Sequence, residues 1–219
     1  MIPTVVIERV ATPAGDMVLS QRGDDFAIRV RGVELMSSRN HDSEDELGRM
    51  TCTLAAARPD APVLVGGLGL GFTLRAVLDG CRAAVEVAEL VPAVVRWSRT
   101  HTGALAGHPL ADPRVTVIEG DVGKSIAAAH ETYAAIALDV DNGPDELFDE
   151  NRWLYRRDGG IAAAHRALVP GGGLAVWSSF ESQTFTRWLE DAGFAVEIAR
   201  VRARGARHVI WLARRRAAR

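Results

Sequence analysis

The sequence lacks the residues and patterns that mark several classes of protein. Only two cysteines occur in 219 residues, and Cys52 and Cys81 show neither metal-site spacing nor a disulfide framework. We therefore expect two small buried thiols in a reducing compartment. The first ten residues, MIPTVVIERV, carry charge early and include no long apolar run, which argues against a signal peptide or a membrane span. These absences predict a cytoplasmic protein with no membrane partner.

An excess of charge of either sign is also missing. The formal net charge is −2, so no global field draws the chain to nucleic acid, and we expect no nucleic-acid partner. The six histidines are scattered along the sequence and form no metal or triad pattern, so no metal site is expected. What remains is an ordinary globular balance of 47% hydrophobic and 25% charged residues.

Turn residues divide the start of the chain into short β-branched segments. Strands are predicted at residues 4–10, 16–22, 26–30 and 33–36, separated by turns at 13–15, 23–24 and 31–32. This pattern indicates a small antiparallel β unit over residues 1–42. The run from Ser43 to Glu46 is typical of a capping box and predicts a helix from there to about Ala57. Residues 43–219 are then expected to form the main domain.

From Pro62 onward the pattern changes to alternating strands and helices. Apolar strands are predicted at 63–66, 84–89, 115–118, 134–139 and 174–177, with helices at 72–78, 92–100, 122–129 and 160–168. This alternation predicts a doubly wound α/β fold whose parallel sheet is buried on both faces. The last two strands, at 194–202 and 208–213, have no room for a helix between them and must pair as a hairpin.

A glycine-rich loop and an acidic strand end point to a nucleoside. The run from Gly66 to Gly71, GGLGLG, follows the first strand of the alternation and opens a helix, where backbone can approach a ligand closely. Glu89 ends the next strand, where an acid in nucleotide-binding α/β folds accepts bonds from ribose hydroxyls. The alternatives are a tight structural turn for the loop and a solvated strand end for Glu89.

Two further carboxylates follow the third and fourth strands of the alternation. Asp121 could accept from an adenine amine, or it could simply cap the helix that begins at Val122. Asp139 ends its strand at the carboxyl edge of the sheet, where open α/β sheets bind ligands. A carboxylate there can orient or deprotonate an amine nucleophile, and Asp141 lies close by in the sequence. The alternative for Asp139 is a structural strand end.

These segments, taken in order, resemble those of spermidine synthase-like proteins. The resemblance rests on residues 63–75 (VLVGGLGLGFTLR), 88–92 (AELVP), 117–121 (VIEGD), 138–139 (LD) with 143–144 (GP), and 168–172 (LVPGG). It implies a Rossmann-like class I methyltransferase fold, with a parallel sheet closed by a C-terminal antiparallel hairpin and a small N-terminal β unit. It also implies a homodimer, a small amine acceptor, and S-adenosylmethionine or its decarboxylated form as the donor. The residues it assigns to donor binding are Gly67, Gly69, Leu70, Gly71, Glu89, Leu90, Asp121, Val122 and Asp139, with Asp139 and Asp141 catalytic.

The sequence departs from that family at the position that decides the transferred group. The family's cofactor loop carries an aspartate that pairs with the aminopropyl ammonium, and Leu70 stands at that position. Leucine cannot pair with an ammonium, whereas a neutral loop can hold a carboxylate through its N–H groups. Methyl transfer from intact S-adenosylmethionine is therefore the first expectation. The alternatives are aminopropyl transfer with another acid such as Asp141 holding the ammonium, and a nucleoside-binding protein without turnover.

Overall fold

The computed structural model describes residues 2–140, 153–203 and 206–217. Within these ranges the strands are β1 (Val5–Thr12), β2 (Gly15–Arg22), β3 (Asp25–Val30), β4 (Val33–Ser37), β5 (Val63–Gly66), β6 (Val85–Glu89), β7 (Val115–Glu119), β8 (Tyr133–Leu138), β9 (Leu168–Ser178), β10 (Phe194–Ala203) and β11 (Ala206–Arg215). The helices are α1 (Asp42–Ala55), α2 (Phe72–Gly80), α3 (Pro92–Trp97), α4 (Val122–Ala128), α5 (Ala162–Ala167) and α6 (Gln183–Asp191). Short π- or 3₁₀-helical segments precede α5 and follow α3.

The main sheet confirms the predicted α/β fold. Its strand order is β10-β11-β9-β8-β5-β6-β7; the central strands pair in parallel, and β11 pairs antiparallel with both β9 and β10. Every residue of β5 and of β8 is buried, because helices cover both faces of the sheet. The C-terminal hairpin therefore closes a doubly wound sheet, as the resemblance implied.

The four N-terminal strands form a separate antiparallel sheet in the order β1-β2-β3-β4. Alternate residues of β2 and β3 face inward, and Met17, Leu19 and Ile28 share a hydrophobic core with β5 and α2. The indole N–H of Trp97, on α3, donates to Glu8 Oε2 of β1 at 2.6 Å. The division into domains at residue 42 remains a prediction.

The predicted start of helix α1 is wrong, because the helix does not begin with a capping box. It starts at Asp42 rather than at Ser43, and its N-cap residue, His41, makes no side-chain cap hydrogen bond. The Ser43 hydroxyl is buried within the first turn and donates to Glu44 Oε2 at 2.5 Å. The spacing of serine and acids therefore does not mark a capping box here, because the Ser43 side chain bonds to Glu44 instead of to a free N–H group at the helix end.

The packing of α1 against α2 positions the first turn of α1. Gly48 faces α2 so closely that a Cβ atom there would lie 2.5 Å from the Cβ of Ala76 and 2.7 Å from the carbonyl oxygen of Thr73. Absence of a side chain at Gly48 lets the two helices meet at this distance. One turn earlier, the carbonyl oxygen of Glu44 consequently lies 3.4 Å from Thr73 Oγ1.

Helix α6 is absent from the sequence predictions and is the main addition to the fold. Ser182 caps it by accepting the N–H of Phe185 at 3.3 Å. Only Phe185 and Leu189 of this nine-residue helix are buried, so its apolar pattern is too short to stand out from the surrounding sequence. No helix in the described residues is long and apolar enough to cross a membrane.

Candidate active site

Two adjoining cavities lie along the carboxyl edge of the parallel sheet, where β5, β6 and β8 end. The large cavity measures about 330 Å³ and the small cavity about 160 Å³. Met36, Gly69 and Asp139 line both of them. This edge is where open α/β sheets bind ligands, and the shared residues mark the place where two bound molecules would meet.

The small cavity gathers most of the predicted donor-binding residues. Those that line it are Gly67, Gly69, Glu89, Leu90, Asp121, Val122 and Asp139. Gly67 has a φ of +90°, and a Cβ atom there would lie 2.3 Å from the carbonyl oxygen of Asp139. A side chain at this position is excluded by backbone conformation and by space, so the loop can pass directly beside the end of β8.

Glu89 is buried and braces the glycine loop. Its Oε2 accepts the N–H of Leu68 at 2.9 Å, and its Oε1 accepts the N–H of Val91 at 2.8 Å. Burial raises the pKa of Glu89, although these backbone N–H groups oppose the rise. Glu89 also lines the small cavity, so the carboxylate that holds the loop lies where a ligand would bind.

Asp121 performs the capping role that the sequence left open as an alternative. Its Oδ1 accepts the N–H of Gly123 at 2.7 Å at the start of α4. The same side chain lines the small cavity. Helix capping and ligand binding are therefore compatible at this position, and its role toward adenine remains a prediction.

The large cavity is acidic. Glu34, Glu44 and Asp139 line it, together with the loop residues Leu70 and Gly71, and none of its described lining residues is a lysine or an arginine. His208 is the described basic side chain there, and burial lowers its pKa, which favours the neutral imidazole. Such a cavity suits a cationic ligand and disfavours a carboxylate.

Asp139 stands between the two cavities with a strongly perturbed carboxyl group. Burial and, to a smaller extent, the charge of Glu44 raise its pKa to about 7, while a hydrogen bond from Thr73 opposes the rise. That bond runs from Thr73 Oγ1 to Asp139 Oδ2 at 2.6 Å. A carboxyl group that is about half ionised near neutral pH can accept a proton from an amine.

Glu44 is a site residue that the sequence predictions missed. It is partly buried in the first turn of α1, lines the large cavity with Asp139, and has a pKa that burial raises. An acid in the first turn of a helix is usually explained by the helix dipole. Only the packing of α1 against α2 reveals that this one faces a cavity.

The remaining predicted residues fall partly outside this site. Leu70 is buried at 3% exposure in the wall of the large cavity, and Asp141 lies outside the described residues. His41 stacks on Phe72 with ring centroids 3.9 Å apart, and its Nδ1 atom lies 2.8 Å from Asp45 Oδ2. It does not line either of the two cavities.

Comparison with known proteins supports the resemblance drawn from the sequence. A search of family models finds no match. Among curated proteins, a polyamine aminopropyltransferase from Korarchaeum cryptofilum is 30% identical over 126 residues, which cover 58% of this chain and 37% of that protein. The match thus spans little more than a third of the length of that relative.

Solved structures show the same fold. A spermidine synthase from Thermotoga maritima superposes with a TM-score of 0.75 at 14% identity, covering 97% of this chain and 74% of that one. A spermidine synthase in complex with the transition-state analogue AdoDATO gives a TM-score of 0.73 at 15% identity, covering 97% of this chain and 73% of that one. These neighbours show that the chain has the Rossmann-like fold of the solved spermidine synthases, and part of its sequence is similar to part of a polyamine aminopropyltransferase.

Proposed function

We propose that this chain is an aminopropyltransferase that uses decarboxylated S-adenosylmethionine as donor and a small amine as acceptor. The similar curated protein is named a polyamine aminopropyltransferase, and the comparisons do not support methyl transfer, which was the first expectation from Leu70. The observation that carries the proposal is the position of Asp139, which lines both cavities and has a pKa near neutrality. A cytoplasmic location and a homodimer remain predictions.

The charge of the large cavity supports the decarboxylated donor over the intact one. Intact S-adenosylmethionine carries a carboxylate beside its ammonium, and the decarboxylated form carries the ammonium alone. Asp139 and Glu44 face this cavity without a lysine or arginine among its described lining residues. Like charges at short range in a partly buried site are unfavourable, so these acids would repel the extra carboxylate and attract the ammonium.

The small cavity supplies the features that a nucleoside needs. Glu89 is placed to accept from ribose hydroxyls while it holds Leu68 and Val91, and Gly67 and Gly69 leave the loop backbone open to the ligand. Asp121 also lines this cavity, and its carboxylate accepts a hydrogen bond from the N–H of Gly123. Held in this way, the donor would direct its sulfonium toward Asp139 and the large cavity.

The reaction then needs a deprotonated amine in line with the carbon–sulfur bond. Asp139 is placed to take a proton from the acceptor ammonium, while Thr73 fixes the orientation of its carboxylate. The freed nitrogen lone pair forms the new nitrogen–carbon bond as the carbon–sulfur bond breaks. Sulfur keeps that electron pair and becomes a neutral thioether, so the coproduct is methylthioadenosine and the charges balance.

Product analysis tests the proposal directly. The protein would be incubated with decarboxylated S-adenosylmethionine or with methyl-labelled S-adenosylmethionine, each with a panel of small diamines, and the products identified by mass spectrometry. Aminopropyl transfer predicts a lengthened amine and methylthioadenosine. Labelled methylamine products would instead identify a methyltransferase. Binding of both donors without any product would identify a nucleoside-binding protein without turnover.

A further inference from the structure

The proposed aminopropyl donor leaves one group without an evident partner, its terminal ammonium. Leu70 occupies the loop position where the family carries the ammonium-binding aspartate, and its side chain is buried in the wall of the large cavity. An ammonium buried against leucine would lose its hydrogen bonds to water without replacement. Another carboxylate must therefore serve, if the proposed function holds.

We infer that Glu44 is the carboxylate that binds the donor ammonium, in place of the aspartate that Leu70 replaces. This inference rests on the proposed function and assigns a donor-selecting role to the first turn of α1. Glu44 lines the same cavity as Leu70 and Asp139. It therefore lines the cavity that an acid at position 70 would line, but from α1 rather than from the glycine loop.

The structure holds Glu44 and Asp139 in a fixed relation. Thr73 on α2 lies 2.6 Å from Asp139 Oδ2 and 3.4 Å from the carbonyl oxygen of Glu44, both measured from its Oγ1 atom. The Ser43 hydroxyl donates to Glu44 Oε2 at 2.5 Å, which orients the carboxylate. A carboxylate that is positioned by its own neighbours binds a cation with little further loss of conformational freedom.

The effect of the Glu44 charge on Asp139 indicates a cation as the missing partner. Burial and then the charge of Glu44 raise the pKa of Asp139. Burial also raises the pKa of Glu44, and smaller effects of His41 and Asp45 lower and raise it, respectively. His41 is already engaged by Asp45 at 2.8 Å. An ammonium between Glu44 and Asp139 would relieve their repulsion and donate a charge-assisted hydrogen bond to each carboxylate.

Two aromatic side chains that line the large cavity also carry polar atoms without a partner among the described residues. Nε1 of Trp177 and Nδ1 of His208 are buried and have no hydrogen-bond partner among the described residues, and both side chains line this cavity. Their rings stack with centroids 5.0 Å apart. Buried polar groups normally have partners, so these two ring nitrogens are polar positions in the wall of the large cavity that the described residues leave without a partner.

Calorimetric titration of variants tests the role of Glu44. Glu44→Gln keeps the size of the side chain and removes its charge, and Asp42→Asn is the matched control, since Asp42 lies in the same first turn but is exposed. We expect Glu44→Gln to weaken binding of decarboxylated S-adenosylmethionine by about 10- to 100-fold, the loss of a charge-assisted bond. Methylthioadenosine, which has no ammonium, should bind both variants as it binds the wild type.

A compensating pair separates loss of the carboxylate from damage to the fold. In Leu70→Asp/Glu44→Gln the acid returns to the loop, and we expect most of the affinity for the decarboxylated donor to return with it. Unchanged donor affinity in Glu44→Gln, or an equal loss for methylthioadenosine, would overturn the inference while leaving the proposed function standing. A loss confined to the KM of the acceptor would also overturn it. A wild-type protein that does not bind the decarboxylated donor would overturn both.

Discussion

Replacing Asp139 with asparagine tests the chemical centre of the proposed reaction. In the wild-type protein Thr73 Oγ1 donates to Asp139 Oδ2 at 2.6 Å. Asparagine keeps the shape of the side chain and can still accept this bond, but it cannot take a proton. General base catalysis typically contributes about 10²- to 10⁴-fold in rate, so we expect kcat to fall by that factor. Affinity for methylthioadenosine should stay near that of the wild type, because Glu89 and Asp121 are untouched.

The pH profile gives the same substitution a second, independent readout. The pKa of Asp139 is raised to about 7 by burial and by Glu44, so wild-type kcat/KM should rise with pH through about 7 as this carboxylate ionises. That limb should disappear in Asp139→Asn. Steady-state rates of methylthioadenosine release between pH 5.5 and 8.5 provide the measurement. A variant with the wild-type rate and the wild-type profile would refute the assignment of the base.

The stability of Asp139→Asn distinguishes lost chemistry from lost structure. The folded pKa of Asp139 lies above its ordinary 3.8, so the folded state binds more protons, and stability falls as pH rises from about 4 to about 7. The raised pKa means that ionisation of this group destabilises the folded state by at most about 4 kcal/mol. Water in the cavity will make this destabilisation smaller. At pH 8 we expect the free energy of unfolding of the variant, measured by urea denaturation, to exceed that of the wild type by about 1–3 kcal/mol. A less stable variant at pH 8 would contradict this direction.

Other predictions concern the groups around Asp139 and the nucleoside. Glu89→Ala should weaken methylthioadenosine binding by about 1.5–3 kcal/mol, the contribution of hydrogen bonds to a charged group. Glu86 lies on the other face of β6 and accepts a hydrogen bond from Tyr133 at 2.7 Å, so the control Glu86→Gln should leave binding unchanged. Equal effects of the two substitutions in calorimetry would remove Glu89 from the site. Glu44→Gln should move the acidic limb of the rate profile to lower pH, because it removes the charge that raises the pKa of Asp139. Thr73→Val should move that limb to higher pH, because it removes the bond that lowers the pKa, and shifts of the same sign would contradict this electrostatic description.

The sequence was sufficient to predict the sheet and most of its edge. Buried parallel strands appear as apolar runs, so β5 matches its predicted bounds of residues 63–66, and β8 is displaced from its prediction by one residue. Functional loops follow those strands at positions fixed by the topology, which is why Glu89 and Asp139 could be singled out. The apolar run before each of these two acids is enough to place it at the carboxyl end of a strand.

The missed features depend on packing between distant segments. Four acids occupy the start of α1, and the sequence cannot tell which one faces inward. Glu44 faces the cavity because Gly48 allows α1 to approach Ala76 and Thr73 of α2, a relation between residues 25 or more apart. This contact adds Glu44 to Asp139 in the wall of the large cavity, and that contribution to the acidity of the cavity could not be derived from the sequence of the glycine loop alone.

A side-by-side calorimetric titration of the wild-type protein tests the central claim most directly. The ligands are decarboxylated S-adenosylmethionine, S-adenosylmethionine and methylthioadenosine, at pH 7.5. Because Glu44 and Asp139 face the large cavity without a lysine or arginine among its described lining residues, an ammonium alone should be favoured over an ammonium with a carboxylate. We predict tightest binding of the decarboxylated donor. Tighter binding of intact S-adenosylmethionine would contradict aminopropyl transfer and return the choice to methyl transfer.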